Sequence, residues 1–167
     1  NNTYGISKND LVIELNKTFK EFNINTCRRK SYFISQMAKE TECFLYGQEK
    51  ISEYDANKNY ASVDGNGEVE SGDGFLYRGR GGLQITRKNG YKRYGKFIGD
   101  ETLFVKNPDE LLKKEHVIRS SGWFWQHGKL TNSGDTIPLN LKADLGNFKR
   151  ICVLIQGSDI TFSKRHE

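Results

Sequence analysis

Residues 77–86 read Tyr77-Arg78-Gly79-Arg80-Gly81-Gly82-Leu83-Gln84-Ile85-Thr86 and are the most informative stretch of the chain. No Lys-Ser or Lys-Thr follows the glycines, so a phosphate-binding loop is a poor fit. A nucleic-acid-binding Arg-Gly-Gly segment is also a poor fit, because such segments repeat in disordered tracts and this copy is single. We interpret the stretch as a tight turn beside a bound chain. Gln84 and Thr86 then share one side, and Arg78 and Arg80 are expected to hold a carboxylate in a cleft.

The size and composition indicate one globular domain. The chain has 167 residues, of which 35% are hydrophobic and 12% aromatic, which is enough for a core and too much for a disordered chain. No apolar run approaches the ~20 residues that a bilayer requires, so we expect no membrane span. The first five residues are polar and lack both an initiator Met and the apolar centre of a signal peptide. We therefore expect residues 1–167 to form a single domain, either a mature product or one excised from a longer chain.

The charge balance favours an anionic partner without identifying it. Lys and Arg number 26 and Asp and Glu 21, for a formal net charge of +5. A basic surface attracts nucleic acid, anionic membranes or an acidic cell wall. Cys27, Cys43 and Cys152 lack CxxC spacing, and the three histidines lack metal-ligand spacing with them or with one another. We therefore expect neither a disulfide framework nor a metal or organic cofactor.

Apolar residues at helical spacing predict helices at both ends of the chain. The first helix begins at a Ser7 cap. The second opens after Asn25-Thr26 and runs to Tyr46, and Gly47 is a natural stop. The last helix is expected to end before Gly157. Its apolar stripe is Leu141, Leu145, Phe148, Cys152 and Ile155.

The middle of the chain has a different composition. Residues 57–82 are rich in Gly, Asn, Asp and Ser and predict short strands near Val69 and over Phe75–Arg78. The run Trp123-Phe124-Trp125 is placed on a later helix, where three consecutive aromatic residues cannot all face the core. At least two are expected in the core, and one remains free to line a cleft. The sequence thus predicts a mainly α fold with a small β element and a central cleft.

Glu40 and Glu49 are candidates for acid–base chemistry. Glu40 shares a helical face with Phe33, Met37 and Phe44, which fits either a partly buried acid paired with a Lys or Arg or a carboxyl held protonated by apolar surroundings. Glu49 follows nine residues later, and the intervening Gly47 lets the chain fold it back toward the cleft. A separation of roughly 6.5–9.5 Å between two carboxyls leaves room for a water in an inverting glycosidase. Glu53 competes with Glu49 for the second position.

The chain resembles glycoside hydrolase family 19, and more narrowly its bacterial and phage endolysin-type branch. The match covers roughly Phe33 to Arg165 and depends on an Arg-Gly-Arg-Gly-x-x-Gln-x-Thr core preceded by Glu-Thr. The residues that carry it are Lys39-Glu40-Thr41, Phe44, Glu49, Gly72-Asp73-Gly74-Phe75, Tyr77-Arg78-Gly79-Arg80-Gly81, Gln84-Ile85-Thr86 and Tyr91, with Asn107–Leu111, Ser121–Trp125 and residues 157–165 fitting later parts of the family pattern.

The resemblance implies a two-lobed, lysozyme-like fold that hydrolyses β-1,4 bonds beside N-acetylated sugars with inversion. Carried over by position, Glu40 is the general acid, Glu49 is the general base and Thr86 helps to hold the attacking water. Gln84 is then expected in the substrate cleft. Tyr77, Arg78, Arg80 and Asn89 complete the expected set of substrate-binding residues.

Three departures from the family pattern affect these expectations. Lys39 stands where the family usually has His, and we expect its ammonium to point away from Glu40. Asn89-Gly90 stands where Ala-Asn is usual, which puts an Asn ligand for the N-acetyl group in doubt. The alignment of residues 57–73 also leaves Glu68 or Glu70 as an alternative cleft acid.

Three functions fit these observations. The first is a muramidase or lysozyme-type enzyme that cuts peptidoglycan in the periplasm or extracellular cell wall, and the second is a chitinase. The third is a non-catalytic glycan-binding relative. We expect a monomer without a nucleic-acid partner. An injected toxin would in addition need a cognate inhibitor or immunity protein in the producing cell.

Overall fold

Ten α-helices account for most of the residues that the computed structural model describes, which are 6–128 and 134–156. Two antiparallel bridges, Gln48 with Arg80 and Arg80 with Ile85, provide a small β element. The expected mainly α class with a small β element is confirmed. The helices are α1 Lys8–Glu21, α2 Cys27–Glu40, α3 Glu53–Tyr60, α4 Asp73–Leu76, α5 Lys88–Ile98, α6 Leu103–Lys106, α7 Lys114–Val117, α8 Arg119–Trp123, α9 Leu139–Asp144 and α10 Phe148–Gln156.

The core is built around Trp125, which is fully buried in a π-helical segment, Phe124–Gly128. Phe33 of α2 meets it edge-on at 5.3 Å between ring centroids. The Trp125 indole donates to Asn140 Oδ1 at 2.9 Å, and the Asn140 amide donates to the Phe22 carbonyl at 3.0 Å. These bonds satisfy the polar atoms that accompany the ring into the core. They also tie α9 to the end of α1.

Gly122 allows α1 and α8 to approach closely. A β-carbon at this position would lie 2.3 Å from a ring carbon of Phe22 and 2.5 Å from the methyl group of Thr18. Those distances are shorter than any van der Waals contact. Packing between these two helices therefore favours glycine at position 122.

The second helix ends earlier than predicted, at Glu40 instead of Tyr46. The Thr41 hydroxyl donates to the Met37 carbonyl at 2.6 Å and accepts the Phe44 N–H at 2.9 Å, which closes the helix with side-chain bonds. Residues 42–44 then adopt φ values of 49°, 58° and 64°. This left-handed turn, and not Gly47, ends the helix and leaves Glu40 at its last position.

Two further elements differ from the sequence prediction. The expected strands near Val69 and over Phe75–Arg78 are wrong, because Val69–Ser71 is a 3-10 helix and α4 contains Phe75. The expected last helix is divided at Gly146, whose φ is 69°. This break leaves Leu141 and Leu145 exposed, although both were assigned to the buried stripe. The helix stop at Gly157 and the family-like segment 157–165 lie outside the described residues.

The stretch 77–86 connects the two halves of the helical body. On one side α3 packs against α4, and on the other α1 packs against α8 and α2 against α9. The Gly82 N–H donates to the Val117 carbonyl at 3.1 Å, and the Leu83 N–H donates to the Ser121 hydroxyl at 3.0 Å. The Gly81 N–H donates to the Gly47 carbonyl at 2.8 Å. The loop is therefore held rigidly along one wall of a cleft.

Candidate active site

An open cavity of about 640 Å³ brings together the four residues expected at the reaction centre. Glu40 and Glu49 line it together with Gln84 and Thr86. Glu40 reaches it from the end of α2, while Gln84 and Thr86 reach it from the loop that follows the glycines. Gln84 and Thr86, which alternate with apolar residues in the sequence, therefore both face the cavity.

The Glu49 carboxylate is held by two hydrogen-bond donors. Its Oε1 accepts the Tyr60 hydroxyl at 2.7 Å and its Oε2 accepts the Gly79 N–H at 2.9 Å. The Glu49 N–H in turn donates to the Gly79 carbonyl at 2.8 Å, so backbone and side chain are fixed to the same residue. Both donors stabilise a negative charge and fix the carboxylate's orientation.

Tyr60 stays a donor because its phenol resists ionisation. Burial raises its pKa, and the hydrogen bond to Glu49 raises it further. A phenoxide beside a carboxylate would also be repelled by it. The hydroxyl therefore remains protonated over the working pH range and keeps its bond to Glu49.

Gln84 is held in the cleft wall at a strained backbone position. Its φ is 51°, and its side-chain amide donates to the Gly81 carbonyl at 3.0 Å. Its Oε1 is buried and has no hydrogen-bond partner among the described residues. A β-carbon on Gly79 would lie 2.4 Å from this oxygen. A side chain at position 79 would therefore displace the Gln84 amide from its observed position.

Lys39 is exposed and is not part of the cavity lining, as expected for a side chain that points away from Glu40. Glu40 itself is half-buried at the end of α2. The helix end presents it to the cavity because the chain turns sharply at Thr41.

No model of a known protein family matches the chain. A protein of Haemophilus influenzae, named a glycosyl hydrolase family 19 domain-containing protein, is 30% identical over 115 residues. The chain belongs to glycoside hydrolase family 19. The matched segment spans 68% of this chain and 56% of the relative, so the chain corresponds to about half the length of that protein.

Solved structures have the same fold as this family 19 chain. Chitinase C from Streptomyces griseus HUT6037 superimposes with a TM-score of 0.61 at 19% identity, over 90% of this chain and 59% of that one. A bacterial family 19 chitinase superimposes with a TM-score of 0.61 at 21% identity, over 87% of this chain and 72% of that one. These similarities establish the lysozyme-like helical architecture.

Four residues expected to bind substrate lie outside the cavity lining of the family 19 chain. Tyr77 is buried and donates to the Val105 carbonyl at 3.1 Å. Arg78 lies 3.9 Å above the Phe75 ring. Asn89 packs against Gly65, where an added β-carbon would lie 2.5 Å from its Oδ1. Their side chains support the loop in this structure.

Arg80 is the fourth of these residues and is 3% exposed. Its Nη1 donates to the Tyr91 hydroxyl at 2.8 Å and to the Leu76 carbonyl at 2.9 Å, and its Nη2 lies 2.8 Å from Asp109 Oδ1. Asp109 is not a cleft carboxylate, because it is 70% exposed and does not line the cavity. A guanidinium so enclosed is not available to nucleic-acid phosphates.

The competing acids are placed away from the cavity. Glu53 begins α3 with an exposed side chain. Glu68, which precedes the 3-10 helix Val69–Ser71, and Glu70, which lies within it, are also exposed. None of the three lines the cavity. Among the described residues, no group of His, Cys, Asp and Glu is arranged to hold a metal ion. Within the same residues, none of the helices has the length and hydrophobicity of a membrane crossing.

Sequence reasoning missed several cavity residues. Tyr60, Lys50 and Arg87 all line it, yet none belongs to a motif. Tyr60 lies eleven residues after Glu49 and meets it only because the chain enters α3 and returns. The aromatic run behaved as predicted, since Trp123 and Trp125 are buried and the middle residue, Phe124, lines the cavity.

Proposed function

We propose that the chain is an inverting glycoside hydrolase that cleaves β-1,4 bonds beside N-acetylated sugars. One observation carries this proposal: Glu40 and Glu49 line the same cavity together with Gln84 and Thr86. An inverting glycosidase requires a protonated carboxyl on one side of the scissile bond and a carboxylate that activates water on the other. The family assignment supports the same chemistry.

Each residue then has a defined task. Glu40 donates its proton to the glycosidic oxygen as that oxygen leaves the anomeric carbon. Glu49, held by Tyr60 and Gly79, removes a proton from the water that forms the new bond to that carbon. Thr86 helps to hold this water, and Gln84 lines the cleft beside the bound substrate. The product is a new reducing end of opposite anomeric configuration.

Peptidoglycan is our first choice of substrate, which places the reaction in the periplasm or the extracellular cell wall. The net charge of +5 favours association with an anionic wall. Chitin is the second candidate, and the structural likeness to two bacterial chitinases supports it. Both polymers present a β-1,4 backbone of N-acetylated sugars, so the proposed chemistry is common to them.

The test is a mass-spectrometric digest of purified peptidoglycan and of a chitin oligomer. The wild-type protein and Glu40→Gln are compared with Glu53→Gln, which removes an exposed carboxylate outside the cavity. We expect new reducing ends on muramic acid that Glu40→Gln abolishes and Glu53→Gln retains. Chitin cleavage alone would keep the mechanism and change the substrate. Glycan binding without cleavage of either polymer would refute the enzyme in favour of a binding protein.

A second measurement tests the stereochemistry. Proton NMR of the first-formed product identifies its anomer before mutarotation. Inversion is expected because Glu49 activates a water and does not attack the sugar itself. Retention of the anomeric configuration would refute the roles assigned to both carboxyls.

A further inference from the structure

Two cations of the cavity rest on tyrosine rings. The Lys50 ammonium lies 3.1 Å from the centroid of the Tyr46 ring, and the Arg87 guanidinium carbon lies 5.8 Å from that of Tyr60. All four residues line the cavity. Neither cation forms an ion pair with any residue in the described part of the chain. The cleft therefore contains two positive charges without an acidic partner there.

Arg87 occupies its position at a cost to stability. Its φ of 65° and ψ of 150° lie in a region that essentially only glycine adopts. Its backbone N–H is tied to the Tyr77 carbonyl at 2.8 Å, which holds this conformation. Its Nε is buried without a hydrogen-bond partner among the described residues. A buried donor left unsatisfied is destabilising in the free protein, so a ligand acceptor that reached Arg87 would relieve this cost.

The cavity contains acidic residues as well as these two cations. Glu42 and Glu49 also line it, and their carboxylates would repel any negatively charged chain, whereas Glu40 carries a proton in the proposed mechanism. Lys50 and Arg87 supply attraction on the same surface, each beside an aromatic face of the kind against which sugar rings pack. The combination suits a pyranose that carries a carboxylate.

We propose that Lys50 and Arg87 are specificity-determining residues that bind substrate carboxylates. They would select an acid-bearing N-acetylated glycan over neutral chitin, and the example is a peptidoglycan strand without stem peptides, in which the lactyl carboxylate of muramic acid is free. This inference depends on the proposed function for the location of the substrate, and it concerns recognition instead of bond cleavage. The two can therefore be tested separately.

The experiment measures binding to Glu40→Gln protein, which blocks turnover while keeping both cations. The probes are a soluble chain of alternating N-acetylglucosamine and N-acetylmuramic acid without stem peptides and the same chain with its carboxyls converted to methyl esters. Isothermal titration at low salt should give a dissociation constant about tenfold lower for the free acid, since a hydrogen bond to a charged group typically changes affinity by that factor. The preference should decline as salt is added.

Matched variants identify the residues responsible. In the Glu40→Gln background, the pair Lys50→Gln and Arg87→Gln should remove the preference for the acid. The control pair Lys30→Gln and Lys58→Gln removes the same net charge. Lys30 and Lys58 also contact aromatic rings, those of Phe19 and Tyr54, but lie outside the cavity, so the control should keep the preference.

Each outcome supports or overturns the inference. Equal affinity for acid and ester, or no binding of either, refutes it, as does loss of the preference in the control pair. Cleavage is assayed in parallel with the wild-type protein on the chitin oligomer and on the unmodified glycan. Cleavage without an acid preference refutes only the carboxylate selection, and an acid preference without cleavage refutes only the hydrolase.

Discussion

Replacing Arg80 by methionine tests whether this residue supports the loop or binds substrate. Methionine keeps much of the side-chain volume and removes every donor. The substitution deprives the carbonyl of Leu76 and the buried hydroxyl of Tyr91 of a guanidinium donor. It also breaks the ion pair with Asp109.

The expected cost follows from the burial of each partner. A buried acceptor left without a donor costs about 1–3 kcal/mol. The ion pair adds little, because Asp109 is 70% exposed and water screens it. We expect Arg80→Met to lower the free energy of unfolding by about 3 kcal/mol, whereas Asp109→Asn, which leaves the buried bonds of Arg80 in place, should lower it by less than about 1 kcal/mol.

Urea denaturation followed by circular dichroism measures both variants. For a typical denaturant slope, 3 kcal/mol corresponds to a midpoint lower by about 1.5 M. Equal losses for Arg80→Met and Asp109→Asn would refute the argument from buried hydrogen bonds. A variant with unchanged unfolding free energy but reduced glycan cleavage would instead assign Arg80 to substrate binding.

Three further predictions concern the Glu49 site, the helix packing and the pH dependence. Tyr60→Phe should lower kcat/KM about tenfold by removing one donor to Glu49. The control Tyr54→Phe, at an exposed position, should leave kcat/KM unchanged. Equal rates for the two variants would contradict the role of the Tyr60 hydroxyl. Gly122→Ala should cost about 1–3 kcal/mol of unfolding free energy through overpacking, and an unchanged urea midpoint would show that α1 and α8 can separate freely. Burial lowers the pKa of His116 below its ordinary value of 6.5. Its contribution to stability is therefore present above pH 6.5 and is lost as the pH falls below that value, because the unfolded chain takes up the proton first. His116→Gln should therefore lose less unfolding free energy than the wild type between about pH 7 and pH 5; curves with equal slopes would exclude this titration.

The sequence predicted which residues meet around the cavity better than it predicted the ends of the helices. Glu40, Glu49, Gln84 and Thr86 belong to a short motif set, and the structure places them around one cavity. Tyr60 was missed because its contact with Glu49 depends on how the chain returns through α3, which has no local signal.

Helix ends were mispredicted where single residues outweigh the apolar pattern. The apolar spacing of α2 continues past Glu40, but Thr41 forms side-chain bonds that end the helix there. In the last segment, which breaks at Gly146, Leu141 and Leu145 are exposed and α9 buries Leu139 and Ala143 instead. Cys152 of α10 is buried, in agreement with the predicted stripe. Periodicity alone does not reveal such breaks, because an apolar stripe can be extended across a turn in more than one register.

The left-handed turn at residues 42–44 has a consequence for how this chain can change over evolutionary time. Left-handed backbone costs non-glycine residues roughly 1 kcal/mol each, and Glu42, Cys43 and Phe44 all adopt it beside Glu40. Glycine or asparagine at the exposed position 43 would recover part of that free energy without altering the cavity. The free energy recovered by such a substitution would offset destabilising changes elsewhere in the cleft. Position 43 is therefore a site at which one change could compensate for substitutions among the cleft residues.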